Sequence, residues 1–200
     1  GTISVLSKLS KYKKQPKFDI HDLPTNIILN DTAWSIGQAD IVYTMADQVM
    51  DIHNFSLHTD YQHITASGRA SKLASDSIDV VLNNINLNYL LSYTEASKAI
   101  SIMGPVTGNA RLYSVFSDLM LEADASIKEG GLNGVYLGDV TAKAELDREN
   151  KNILIHGVVI DSTQHQVATV NGKVIPATRW WGLDIECDSA DIRFIDFWTK

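Results

Sequence analysis

An all-β fold is predicted, an extended and twisted antiparallel sheet with one apolar and one polar face. Three observations predict it. From Leu119 to Ile127 the odd positions are apolar and, after Met120, the even ones polar; this is the period of a strand with one greasy side. Val140, Ala142, Ala144 and Leu146 repeat that pattern, as do Ile153, Ile155, Gly157 and Val159. Clusters of Gly, Asn, Asp and Lys separate the runs with no helical segment between them, so consecutive strands pair antiparallel, as in a meander.

Taken in order, residues 2–9 predict a strand on Ile3 and Val5, and a lysine-rich segment follows to Lys17. Phe18, Ile20 and Leu23 lead into Pro24, and Ile27-Ile28-Leu29 runs to a turn at Asn30-Asp31. Residues 34–44 read as one strand with Trp34, Ile36, Val42 and Thr44 on one face. Met50 and Ile52 share a parity that Phe55 and Leu57 do not, so a bulge near Asn54 is needed to return Phe55 to the greasy side. Ile64, Ala66, Gly68 and Ala70 make the next strand, and residues 72–77 a polar turn. Ile78 opens a strand that passes into a helical turn over residues 89–94. In the second half, residues 128–131 read as the turn after Ile127, with Gly130 and Gly131 supplying positive φ. Residues 147–152 turn the chain again, and residues 167–174 and 183–187 are further strands.

The expected organisation is an N-terminal strand and linker over residues 1–33, a first β repeat over 34–103 and a second over 104–200, in one continuous sheet. The repeat rests on Ile78-Asp-Val-x-Leu-Asn-Asn-Ile-Asn-Leu-Asn-Tyr-Leu, which lies over Leu183-Asp-Ile-x-Cys-Asp-Ser-Ala-Asp-Ile-Arg-Phe-Ile at an offset of 183 − 78 = 105 residues.

Composition narrows the function. The chain of 200 residues is 44% apolar and 20% charged, which is not a disordered composition, and its formal charge of −7 argues against a nucleic-acid surface. No run approaches the roughly 20 apolar residues of a membrane-spanning helix. No phosphate loop, nucleophile elbow or metal-spaced Cys/His set is present. The single Cys187 alternates with Leu183 and Ile185 and reads as a small buried apolar residue.

The remaining candidates for chemistry favour solvated strand faces. His53, His58 and His63 recur every five residues, and on one continuous strand an odd spacing alternates faces, so no shared metal is expected. Asp184, Glu186, Asp188 and Asp191 lack calcium-loop spacing, and the first three are the outward partners of Leu183, Ile185 and Cys187. Asp139 with Glu145, or Asp118 with Glu122, has no spacing that fixes a glycosidase pair. Trp180 and Trp181, adjacent on a strand, point to opposite faces, so at most one of them lines a sugar or protein platform. No enzyme activity and no cofactor is expected.

The run Gly104-x-Val106-x-Gly108-x-Ala110-x-Leu112, then Gly131-x-x-Gly134-Val-Tyr-Leu137-Gly-Asp139-Val-x-Ala142, resembles the TamB (translocation and assembly module) family of AsmA-like proteins, in the form found in Bacteroides-like bacteria. Met50-x-Ile52-x-Asn54-Phe55-x-Leu57, Ile64-x-Ala66-x-Gly68 and Asn84-Ile-Asn-Leu-Asn-Tyr-Leu90 fit the same pattern, and the resemblance extends from about Trp34 onward. It implies a β-sheet curled into a half-pipe, or β-taco, with an apolar interior. It also implies a periplasmic place in the Gram-negative envelope, in a protein anchored in the inner membrane. The function implied is outer-membrane biogenesis and lipid transport, with phospholipid or outer-membrane protein clients and an outer-membrane assembly partner. This chain would then be an interior or near-terminal segment.

Parity names the lining of such a hydrophobic groove: Ile64, Ala66, Val80, Leu82, Leu119, Leu121, Ala123, Ala125, Ile127, Val140, Ala142, Ala144, Leu146, Ile153 and Ile155. Glu122, Asp124, Lys143 and Glu145 are expected in water. The small inward alanines favour an open groove, because a closed sandwich wants large interdigitating side chains. The alternative is a carbohydrate- or protein-binding β-sandwich at the cell surface.

Overall fold

A computed structural model describes residues 3–9, 16–22, 25–29, 31–37, 39–88, 101–178 and 180–188. Among these residues the protein is all-β, and helical geometry occurs only at Leu87-Asn88 and in a single 3-10 turn, Pro176–Thr178. The chain divides into two compact units, residues 1–82 with 109–121 and residues 83–108 with 122–200.

In the first unit, β1 (Ile3–Leu9) pairs with β2 (Pro16–Asp22), and β3 (Thr25–Leu29) forms a hairpin with β4 (Thr32–Ile36) across the expected turn. β5 (Ala39–Thr44), β6 (Val49–His58), β7 (His63–Ala70) and the start of β8 (Ser77–Ile85) continue it. In the second unit the short β9 (Ile102–Met103) leans on the end of β11 (Met120–Leu132), and β12 (Val135–Asp147), β13 (Asn152–Ile160), β14 (Gln166–Ile175) and β15 (Trp180–Cys187) follow as a meander. With β10 (Val106–Tyr113), the strands hydrogen-bond as one open sheet in the order β1-β2-β5-β6-β7-β8-β10-β11-β12-β13-β14-β15.

The bulge expected near Asn54 is present. Ile52 opposes Gly68 and Phe55 opposes Ala66, so β6 carries one residue more than β7 between them, and Phe55 joins the apolar face. The neighbouring strand bends in step, and this corrects the expectation for residues 34–44. Ile36 pairs with Leu57 and Ile41 with Ile52, so the parity switches between β4 and β5. Ile41 and Tyr43, not Val42 and Thr44, share the face of Ile52 and Met50. Gly37 bridges the break, its N–H donating to Ser56 O at 2.9 Å.

The second correction concerns a turn. β11 runs through residues 128–131 to Leu132, and the reversal falls at Asn133-Gly134, with φ of 51° and 84°. Two consecutive positive φ values over Asn-Gly make a type I′ turn, whose twist matches that of the flanking strands. Residues 128–131 instead hold an irregularity in which Glu129 has φ 50° and the register shifts on both sides of Gly130. The helical turn over residues 89–94 and the C-terminal half of the repeat lie outside the described residues.

Candidate functional site

The candidate site is the apolar face of the second unit, and strand register assembles it row by row. Ala123 pairs with Ala144, which pairs with Ile155, then Gly172, then Leu183. The next row is Ala125, Ala142, Gly157, Val170 and Ile185. Side chains at opposed positions project from the same face, so each row crosses the strands in line. A third row, Ile127, Val140, Val159, Ala168 and Cys187, borders this pair on one side. Leu146, Ile153, Val174 and Trp181 border it on the other. All of these residues are apolar over five adjacent strands.

The profile across the face is uneven: the two central rows carry alanine at all four positions on β11 and β12, and glycine at Gly157 and Gly172, but Ile155, Val170, Leu183 and Ile185 stand in the same rows. The result is a lane whose floor is made of small side chains on β11 and β12 and of mixed small and large apolar ones from β13 to β15. Gly157 is buried, and a Cβ added there would make ordinary van der Waals contact, 3.5 Å from Thr141 O and Val170 Cβ, so the position has room for a methyl group and no more. Ile153 and Val159 in the borders are 5% and 4% exposed, whereas the alanines of the floor are half-buried. Val159 packs with Val167 and Ala168, and Cys187 lies against that cluster, half-buried as a small apolar residue.

The opposite face is polar and paired. Lys128 bonds Asp139, Lys143 lies 3.5 Å from Asp124, Arg148 lies 3.5 Å from Glu122, and His156 Nδ1 meets Asn171 Oδ1 at 2.9 Å. A side-chain hydrogen bond from Lys128 and the Glu129 N–H hold the Asp139 carboxyl below the usual carboxylate range. Asp147 is lowered by the Asn150 side chain and backbone, and Asp161 by the Thr163 hydroxyl and the His165 N–H. Asp147 and Asp161 brace the turns that follow β12 and β13, while Asp139 braces the irregularity of β11 at Glu129. An open hollow of about 550 Å³ lies on this polar side, among Asp124, Ser126, Thr141, Lys143, His156 and Val158.

The fifteen residues named from parity fall into two groups. Ile64, Ala66, Val80, Leu82, Leu119 and Leu121 belong to the first unit; Ala123, Ala125, Ile127, Val140, Ala142, Ala144, Leu146, Ile153 and Ile155 belong to the second. Ile64 is buried on β7, and Ala66 and Val80 pack on the core of Ile52, Ala70 and Ile78. Leu119 lies one residue before β11 and is 41% exposed. Sequence reasoning left out the face of β14 and β15, namely Val170, Gly172, Val174, Trp181 and Ile185. Their alternation was legible; the register that sets them in the same rows was not.

Asp139 and Glu145 lie six residues apart on one strand, about 20 Å, which is too far for a carboxylate pair. Asp184, Glu186 and Asp188 are exposed, and Asp191 lies outside the described residues. Among the described residues, no three His, Cys, Asp or Glu side chains gather as a metal site. Comparison with family models, with curated proteins and with solved structures finds no match in any of the three.

Proposed function

We propose that this chain is a non-enzymatic segment of an envelope bridge protein, and that the apolar face of its second unit shields lipid acyl chains in a groove. The observation that carries the reading is the lane itself, two adjacent apolar rows that are all alanine on β11 and β12, broken by Gly157 and Gly172 farther on, and bordered by rows of mostly larger apolar residues. A closed core wants large side chains at its centre, whereas a floor of Cβ atoms and bare backbone leaves room for a slender guest. Four spacings of about 4.8 Å separate β11 from β15, about 19 Å in all, against roughly 15 Å for one acyl leaflet of a bilayer. A chain of about 15 carbons gains roughly 0.8 kcal/mol per buried methylene, about 12 kcal/mol before the loss of its own freedom. The resemblance to the TamB family points the same way, toward a half-pipe in the periplasm that serves lipid transport and outer-membrane clients.

Crosslinking residues placed at Ala123 and Ala142 on the lane, and at Asp124 and Lys143 on the polar face, test the reading in cells. Phospholipid recovered from 123 and 142 but not from 124 and 143 is the expected result. Ala142→Asp should abolish the labelling at 123, since a carboxylate in the lane would have to lose its water. Equal labelling of both faces, or none, overturns the lipid reading. A surface sandwich that binds carbohydrate or protein through Trp180 or Trp181, which are 50% and 62% exposed, is the second reading. Glycan or protein capture lost on Trp181→Ala would favour it.

A further inference from the structure

We propose that His58 and His63 together bind one divalent transition-metal ion. The two histidines do not share a strand. His58 ends β6, His63 begins β7, and the register sets them directly opposite each other. The odd spacing that separates their faces on a continuous strand is cancelled by the intervening turn, which carries both side chains to one face. That face is the polar one, since the adjacent pair Leu57 and Ile64 belongs to the apolar side. The turn is fixed: Thr59 N–H donates to Gln62 O at 2.8 Å, and Thr59 Oγ1 accepts from Gln62 N–H at 3.0 Å and Tyr61 N–H at 3.2 Å. A rigid turn holds two ligands in place and lowers the entropy lost when they close on an ion.

The ring geometry fits. The imidazole centroids are 5.5 Å apart with planes at 44°. With metal–nitrogen bonds of about 2.0–2.1 Å, two imidazoles on one tetrahedral ion have centroids about 5 Å apart. The Nδ1 of His58 is buried and has no hydrogen-bond partner among the described residues, a costly state for a polar atom that a bound ion or its water would relieve. By contrast, His156 Nδ1 is engaged by Asn171 and His165 Nδ1 by Thr163. Ser35 stands opposite His58 on the other side, with its hydroxyl on Asn26, so the row continues with oxygen groups. Two imidazole ligands with water completing the shell suit zinc, copper or nickel, not calcium or magnesium.

Calorimetric titration of the whole chain with Zn²⁺ tests this. One saturable site is expected, weakened about tenfold or more by His58→Asn and by His63→Ala, and unchanged by His53→Ala. The histidine ring resonances of residues 58 and 63 should shift together on titration, while those of 156 and 165 stay in place. Circular dichroism confirms that each variant retains its strands. Absence of a saturable site in the wild type, or binding that survives His63→Ala, overturns the proposal. So does a resonance shift centred on His156 or His165.

Discussion

The two units carry the same alternation and bury it differently. In the first, the face of Met50, Ile52, Phe55, Ala70 and Ile78 is built largely of big side chains, and the loop after β10 folds back on it. Val115 and Phe116 pack on that core, Phe116 meets Tyr43 edge-to-face at 6.2 Å, and Phe116 N–H is anchored on Ser71 O at 3.1 Å. In the second unit the corresponding central positions are Ala123, Ala125, Ala142 and Ala144, and they are half-buried. A period of two therefore says which side of a strand is apolar, while side-chain volume and a covering loop decide whether that side becomes a core.

The largest expected contrast is a truncation made in both units. Ile52→Ala should cost about 2–5 kcal/mol, because Ile52 is 9% exposed and its cavity cannot collapse against a paired sheet. Ile155→Ala, on the half-buried lane, should cost about half of that or less. Urea denaturation with hydrogen exchange read unit by unit measures both, and equal losses would erase the distinction between core and lane.

Next come the backbone positions of the second unit. Gly138 has φ 127°, and a Cβ there would lie 2.3 Å from Ile160 O, so Gly138→Ala should cost about 1–3 kcal/mol and loosen the pairing of β12 with β13. Gly134 has φ 84° with nothing within 4 Å of an added Cβ, so Gly134→Ala should cost only the left-handed backbone, about 1 kcal/mol. Melting temperatures of the two variants check the order. If Gly134→Ala proved the worse, the close approach at Gly138 would not be limiting.

Acidification sharpens the comparison further. Asp139, Asp147 and Asp161 all sit in the second unit with carboxyls held below the usual range. A depressed folded-state pKa contributes stability that is present above the unfolded value and is lost as pH falls through the folded one. The strand ends around residues 128–165 should therefore lose exchange protection below the ordinary carboxylate range and keep it at neutral pH. Unchanged protection there on acidification would count against those hydrogen bonds.

The smallest effect is expected on the polar face. Asp124 and Lys143 are a cross-strand pair with side chains 60% and 67% exposed, so Asp124→Lys should cost less than about 1 kcal/mol by thermal melting. A larger loss would mean that this face is covered as well.

By itself the sequence determined the all-β class, the identity of the apolar side along most strands, and the bulge after Ile52. It could do so because period-two alternation and a parity conflict between Ile52 and Phe55 are local properties of the chain. Even there, a competing signal misled: Gly130 and Gly131 outweighed Asn133-Gly134, although only the latter pair reverses the chain. Tertiary structure alone decided the rest. The parity switch between β4 and β5 is forced by the distortion of β6 beside them, which strand 34–44 does not encode. The rows of the lane exist only once register aligns β11 through β15, and register is set by turns and by pairing between residues far apart in the chain. The same holds for His58 and His63, whose five-residue spacing separates them on a strand and whose turn brings them face to face.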